Sequence, residues 1–153
     1  MKKVFCHISE NTEEISKCYR IREEVFVREQ KLFKNSDRDK FDKNAIHICA
    51  EYNGEIVGTV RVFEIKDGVW FGGRLAVLKK ARRGDTAKLL VKKAVQTTKS
   101  KAAKKFLAWV QEANVNFFLR LGWKKTGREK IYLGKSHQLM EANLSLSSKN
   151  SEP

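Results

Sequence analysis

The chain has a single proline, Pro153, and three cysteines among its 153 residues. Proline-rich and glycine-rich linkers commonly separate domains, and none is found here. We therefore expect residues 1–146 to form one domain, followed by a polar, disordered tail at residues 147–153. Three cysteines at wide, irregular spacing argue against a disulfide framework and favour a reducing cytoplasm.

Long hydrophobic runs are also missing. No apolar segment approaches the roughly 20 residues of a membrane helix, and the basic start lacks the apolar stretch of a signal peptide. We expect a cytoplasmic protein without a membrane partner. Acidic residues are few, 18 against 32 basic ones, so the formal net charge is +14. Such a charge favours an anionic partner, which could be nucleic acid, an acidic membrane or a phosphate-rich cofactor, although lysine also serves solubility.

The pattern of apolar residues predicts alternating strands and helices. A first strand at 3–8 precedes a helix at 11–30, where an asparagine cap is followed by two glutamates. Asn53–Gly54 and Asp67–Gly68 are typical hairpin turns. The later strands are predicted at 45–52, 55–65, 69–78, 105–110, 124–133 and 137–146, and the later helices at 85–100 and 113–121. A meander followed by a βαβ unit predicts an α/β fold, with a mixed sheet and helices on both faces.

The segment 69–91 runs from a strand through a basic loop into a helix. Gly72 and Gly73 lie inside the strand, where glycine usually marks a bulge or a close backbone approach. The loop at 79–84 contains Arg82 and Arg83. Free N–H groups and the dipole at a helix start attract anions, and arginine adds charge, so this segment is typical of a phosphate site. The alternative is an ordinary capped helix with both arginines in solvent.

This segment resembles motif A of the GNAT N-acetyltransferase superfamily, in which an Arg/Gln-x-x-Gly-x-Gly/Ala loop cradles the pyrophosphate of coenzyme A. When Ala87 is aligned with the last position of this motif, Arg82 occupies the first position and Asp85 the position where glycine is usual. The resemblance implies an acyl-CoA co-substrate whose pantetheine amides bond to the strand backbone. The cofactor-binding residues it implies here are Leu75, Ala76, Val77, Arg82, Arg83, Gly84, Asp85, Thr86, Ala87 and Lys88.

A second stretch, 106–123, resembles the later strand, helix and turn of the same family, which usually ends Tyr-x-x-x-Gly-Phe. In that family, two adjacent strands separate at this position and form the cleft for the pantetheine arm. The implied contacts are Gln111, Asn114, Phe117 and Phe118. Phe118 occupies the usual tyrosine position, and phenylalanine cannot protonate the leaving thiolate as that tyrosine does.

The stretch 22–30, with the aspartates that follow it, resembles a GNAT branch related to acyl-homoserine-lactone synthases. Residues 70–77 and 137–140 resemble a poorly characterised bacterial subgroup of acetyltransferases. Arg22 and Glu29 fall on an apolar helix stripe, and buried charges need partners or a function. Either they form an ion-pair scaffold or they recognise the acceptor. The candidate substrate-binding residues are Arg22, Phe26, Glu29, Arg61 and Arg74.

Three residues are candidate catalytic groups. Glu51 or Glu64 could act as general base, directly or through water, and Tyr132 could replace the missing acid. Each is also explained as an ordinary strand residue. The aspartates at 37, 39 and 42 fit a solvated loop or an amine-attracting patch. No spacing of ligands is typical of a metal site, so we expect no metal.

The prediction is therefore an acyltransferase that moves an acyl group, by default acetyl, from acyl-CoA to a small amine-bearing acceptor in a ternary complex. A backbone N–H near Val77 would stabilise the oxyanion. We expect a monomer or homodimer. One alternative is a non-catalytic acyl-CoA-binding sensor on the same fold. The other is a nucleic-acid-binding module, which the charge suggests but no aromatic stacking platform supports.

Overall fold

The computed structural model describes residues 3–145, so the predicted tail at 147–153 lies outside the described residues. Seven strands and three α-helices follow the predicted order. The strands are β1 Phe5–Ile8, β2 Ile46–Tyr52, β3 Glu55–Lys66, β4 Val69–Val77, β5 Lys105–Gln111, β6 Lys124–Tyr132 and β7 Lys135–Glu141. The helices are α1 Thr12–Arg22, α2 Thr86–Ser100 and α3 Val115–Arg120. The last strand begins and ends earlier than the pattern at 137–146 predicts. Within residues 3–145, no helix is both long and apolar enough to cross a bilayer.

The strands form one sheet in the order β1-β2-β3-β4-β5-β7-β6. The pairs β1–β2, β2–β3, β5–β7 and β6–β7 are antiparallel, and β4–β5 is parallel. Parallel neighbours need a long crossover connection, and α2 provides it between β4 and β5. The mixed, mostly antiparallel sheet confirms the predicted fold class.

Helix α1 begins as the sequence predicts and then changes its geometry. The Asn11 side chain accepts a hydrogen bond from the Glu14 backbone N–H at 2.9 Å. After Arg22 the chain continues as a π-helix, Glu23–Glu29. A π-helix has more residues per turn than an α-helix, so the inward-facing positions shift along the chain. Phe26 is consequently buried and Glu29 exposed, which corrects the expectation that Glu29 lies on the inward stripe.

The contacts within the chain divide it into two compact units. Among the described residues, unit one comprises 3–63 and 73–94. Its core includes a cluster formed by Cys18, Ile21, Val25, Phe26, Cys49, Ile56 and Ala76. Gly58 of β3 lies where a side chain has little room, because an added Cβ would be 3.0 Å from Leu90 Cδ1 and 3.2 Å from the Ala76 carbonyl oxygen. The close backbone approach is thus at Gly58, whereas an added Cβ at Gly73 meets nothing within 4 Å.

Among the described residues, unit two comprises 64–72 and 95–145. Aromatic rings form part of its core: Trp123 packs against Phe106, with ring centroids 5.2 Å apart, and against Phe118, 5.1 Å away. The parallel pairing of β4 with β5 matches Val69–Gly72 to Lys105–Ala108.

Candidate functional site

The loop between β4 and α2, residues 78–85, is built within unit one. The Leu78 N–H donates to the Val57 carbonyl at 2.9 Å, which ties the end of β4 to β3. Helix α2 then starts with the Leu89 N–H bonded to the Asp85 carbonyl at 2.9 Å. The backbone N–H groups of residues 86–88 precede that first bond, and nothing in the described part of the chain accepts from them. They are free to bind an anion at the positive end of the helix dipole.

Arg82 organises this loop and is already paired. Its Nε donates to the Val77 carbonyl at 2.8 Å, which closes the loop back on the strand. Its two terminal nitrogens donate to the Glu29 carboxylate at 2.5 and 2.6 Å. This hydrogen-bonded pair lowers the pKa of Glu29 and raises that of Arg82. A predicted cofactor residue and a predicted substrate residue therefore contact each other.

The other predicted cofactor residues of unit one surround this loop. Leu75 and Ala87 are half-buried, Ala76, Val77 and Thr86 are buried, and Arg82, Arg83, Gly84, Asp85 and Lys88 are exposed. The exposed members are those that an anion could reach from solvent. A cavity of about 430 Å³ opens beside the loop, and Tyr52, Asn53, Lys80, Arg83 and Thr86 are among its lining residues.

Arg22 is held in a buried ion pair and is only 1% exposed. Its Nε donates to Asp37 at 2.7 Å, and its two terminal nitrogens donate to both carboxylate oxygens of Asp42 at 2.8 and 2.9 Å. Such a bidentate pair fixes both side chains. Of the two interpretations of Arg22, this geometry favours the ion-pair scaffold.

Two further arginines join the same aspartates. Arg61 donates to Asp39 at 2.6 and 2.8 Å and to Asp42 at 2.8 Å. Arg74 donates to the Asp37 carbonyl at 2.8 Å and carboxylate at 3.1 Å. We call these six residues the ionic cluster. Asp37 and Asp42 are 2% and 7% exposed, so the expectation of a solvated acidic loop is wrong. In the sequence, the only sign of this cluster is that three separated arginines equal three aspartates in number. The folded structure shows that they form ion pairs with one another.

The ionic cluster sets the charge state of its members. Burial alone would raise the pKa of Asp42, but hydrogen bonds from Arg22 and Arg61 outweigh burial and hold that pKa well below its usual range. The pKa of Asp39 is also lowered, because the hydrogen bonds from Arg61 outweigh the effect of burial. Burial lowers the pKa of His47, whose Nε2 donates to the Asp42 carbonyl at 3.2 Å. Asp39 and Asp42 are therefore ionised and His47 is neutral near pH 7.

Arg74 has a backbone conformation that is rare for its type. Its φ is +54°, in the left-handed region, within strand β4. This conformation costs a non-glycine residue roughly 1–2 kcal/mol. The hydrogen bonds from its guanidinium to Asp37 and Asp39 hold it there. The irregularity predicted near Gly72 and Gly73 thus falls on the next residue.

The predicted catalytic residues are divided between the two units. Glu51 is half-buried in unit one, next to a shift of register between β2 and β3. Glu64 lies in unit two, where its carboxylate accepts the Gly68 N–H at 2.8 Å and closes a hairpin turn. Tyr132, 39% exposed, ends β6, and its ring packs edge-on against His137.

The remaining predicted cofactor residues lie at the end of β5, in the short 3-10 turn that follows it, and on α3. Gln111 and Phe117 are half-buried, Asn114 is exposed and Phe118 is buried. The Phe118 ring lies at 87° to Trp123. It is therefore a core aromatic within unit two.

Known proteins resemble this chain in sequence and in fold. Residues 9–123 match the acetyltransferase (GNAT) family. The chain belongs to this GNAT family. Over 118 residues it is 30% identical to the uncharacterized N-acetyltransferase YjcF of Bacillus subtilis strain 168, covering 76% of this chain and 83% of that protein. This membership makes the protein a GNAT-type acyltransferase.

Solved structures share the fold. The AHL synthase LasI superposes with a TM-score of 0.78 at 11% identity, covering 97% of this chain and 94% of that one. A GNAT family acetyltransferase from Elizabethkingia anophelis with acetyl-CoA bound has a TM-score of 0.70 at 15% identity, covering 92% and 97%. At these identities the likeness shows the fold, and it agrees with both predicted resemblances.

Proposed function

We propose that this GNAT protein transfers an acetyl group from acetyl-CoA to a small amine-bearing acceptor, with both substrates bound at once. The observation that carries the proposal is the start of α2, where the N–H groups of residues 86–88 are free and Arg82 shapes the loop in front of them. Family membership and the acetyl-CoA in the Elizabethkingia structure support this choice of donor.

On the donor side, the backbone of residues 75–77 would bond the pantetheine amides, and residues 82–88 would hold the pyrophosphate. The neutral amine attacks the thioester carbonyl, a C–N bond forms, and the C–S bond breaks to release CoA thiolate. A backbone N–H near Val77 would stabilise the oxyanion. Much of the rate would come from holding the two substrates together.

A base must accept the proton that the amine loses. Glu51 is the better candidate, because the carboxylate of Glu64 already caps a turn. Tyr132 is the candidate acid for the leaving thiolate. Glu51→Gln should lower kcat and change its pH profile, whereas Glu64→Gln should mainly affect stability. Equal kcat values and pH profiles for wild type and Glu51→Gln would remove Glu51 from the mechanism.

Calorimetry with CoA and acetyl-CoA tests the donor site directly. Arg82→Glu should weaken binding at least about tenfold, because it reverses charge at the loop and removes the bond to Val77. Arg28→Glu makes the same charge change at an arginine that is 68% exposed on the π-helix, and it should leave affinity nearly unchanged. If wild type binds neither ligand, the proposal fails.

A second candidate function is an acyl-CoA sensor without catalysis. Phe118 favours this function, because a phenylalanine has no hydroxyl to protonate a thiolate and its ring packs against Trp123. Thiol release from acetyl-CoA, measured across a panel of amines, separates the two functions. Binding together with release supports the transferase, and binding without release for any amine supports the sensor.

A further inference from the structure

A cluster of metal-ligand side chains lies away from the β4–α2 loop, where β1, β2 and α1 meet. His7 of β1 stands directly opposite Cys49 of β2 in the antiparallel register. Helix α1 presents Glu14 and, one turn later, Cys18. One ligand atom each from His7, Glu14 and Cys49 lies within 4.8 Å of the others. We call His7, Glu14, Cys49 and Cys18 the thiol–imidazole cluster.

Two pairs of atoms in this cluster are spaced nearly as in a tetrahedral site. Glu14 Oε2 lies 3.2 Å from His7 Nε2, and Cys49 Sγ lies 3.3 Å from Cys18 Sγ. Bonds of about 2.0–2.3 Å to zinc place tetrahedral ligand atoms roughly 3.3–3.8 Å apart. The ligand atoms of His7, Glu14 and Cys49 all lie within 4.8 Å of one another, so the side chains must move closer together to bind one ion. Cys18 contacts Cys49 and adds a second sulfur beside these three ligands.

The chemistry of the donors selects the kind of ion. A nitrogen, a carboxylate and one or two sulfurs form a set typical of zinc rather than of magnesium or calcium. One carboxylate and one thiolate also neutralise a divalent charge, so the ion would not be buried uncompensated.

Two further observations point to a ligand. His7 Nδ1, the ring nitrogen that does not contact Glu14, is buried and has no hydrogen-bond partner among residues 3–145, and either ring nitrogen can serve as a metal ligand. Cys49 is fully buried, but the side chains of His7 and Glu14 are 15% and 24% exposed, which leaves a route for an ion from solvent. The sequence predicts no metal because the ligands come from three separate elements. We propose that the thiol–imidazole cluster binds one divalent transition metal of the zinc class.

Metal binding would release a proton and would involve no change of oxidation state. The Cys49 Sγ–H bond breaks, its proton goes to solvent, and the thiolate forms the metal–sulfur bond. His7 binds as neutral imidazole through one nitrogen, and Glu14 binds as carboxylate. The ion would join β1 and β2 to α1. The proposal does not depend on acyl transfer, because none of its residues is assigned to the donor site.

The test uses full-length, reduced protein freed of metal with a chelator. Zinc calorimetry should give one equivalent with proton release, and bound zinc should raise the Tm. Cobalt as a substitute should give the charge-transfer absorption of a sulfur ligand. Cys49→Ser and Glu14→Gln should each weaken zinc binding at least about tenfold. Cys6→Ser is the matched control, because Cys6 neighbours His7 on β1 but is not in the cluster, and it should bind like wild type.

Several results would overturn the proposal. The first is a zinc dissociation constant weaker than micromolar in wild type. The second is a cobalt spectrum without the charge-transfer band of a sulfur ligand. The third is an equal zinc affinity in wild type, Cys49→Ser and Glu14→Gln. Should Cys49→Ser fail to fold by circular dichroism, Glu14→Gln decides the result, since Glu14 is partly exposed. Mass spectrometry of the titrated sample confirms that Cys18 and Cys49 are reduced, because a disulfide between them would block the site.

Discussion

Glu29 accepts two hydrogen bonds from Arg82, the arginine that also closes the β4–α2 loop onto Val77. The pair is about one-third exposed, so breaking it should cost little stability. Glu29→Gln removes a negative charge beside the proposed pyrophosphate site and leaves Arg82 in place. We expect CoA to bind about two- to fivefold more tightly, a gain that calorimetry at low salt would detect and that added salt would reduce.

The control for this prediction is Glu13→Gln, which removes an exposed carboxylate that is paired with Lys17 on α1. Its CoA affinity should equal that of wild type. Weaker CoA binding by Glu29→Gln would mean instead that Glu29 positions Arg82 for the ligand.

Asp42 is the carboxylate that joins two arginines of the ionic cluster. Asp42→Asn leaves the three arginines of the ionic cluster with only two aspartates, so one buried positive charge is no longer balanced. We expect a loss of about 3–5 kcal/mol in the free energy of unfolding. Urea unfolding measures it. Asp39→Asn should cost less, since the Asp39 side chain is 31% exposed. Equal losses in the two variants would show that burial does not set the strength of these pairs.

Stability should fall in two stages as the solution becomes acidic. Burial lowers the pKa of His47 below its ordinary value of about 6.5. The contribution of neutral His47 to the free energy of unfolding is therefore complete above about pH 6.5 and declines at lower pH. The lowered pKa values of Asp39 and Asp42 add a second decline below about pH 4. Urea unfolding from pH 7.5 to 3 tests both stages. His47→Gln should remove the first stage, and a flat profile between pH 7 and 5 in wild type would contradict it.

Gly58 and Gly73 offer a matched pair of substitutions in unit one. Gly58→Ala would push a methyl group to 3.0 Å from Leu90 and 3.2 Å from Thr86, at the start of α2. We expect a loss of about 1–3 kcal/mol in stability together with weaker CoA binding. Gly73→Ala meets open space and should change stability by less than about 0.5 kcal/mol. Thermal unfolding and calorimetry on both variants would show whether the packing under the loop matters.

Local chemistry made much of the fold predictable. The Asn11 cap, the Asn53–Gly54 turn and the alternation along β2 each constrain only a few neighbouring residues, and the structure has these elements where the sequence places them. The change from α- to π-helix after Arg22 was not predictable in this way. It depends on how residues 23–29 pack against the rest of unit one, and it moved Glu29 from the expected buried stripe to the partner of Arg82.

The sequence by itself determined the order of elements, the α/β class and the basic loop before α2, because periodicity, caps and turns act over short distances. The tertiary structure decided which distant side chains meet. It matched three arginines to three aspartates, paired Arg82 with Glu29, and brought His7 of β1 beside Cys49 of β2 and Glu14 of α1. Charges and ligands far apart in the chain acquire partners only when strands and helices pack, so their roles could be assigned only after folding.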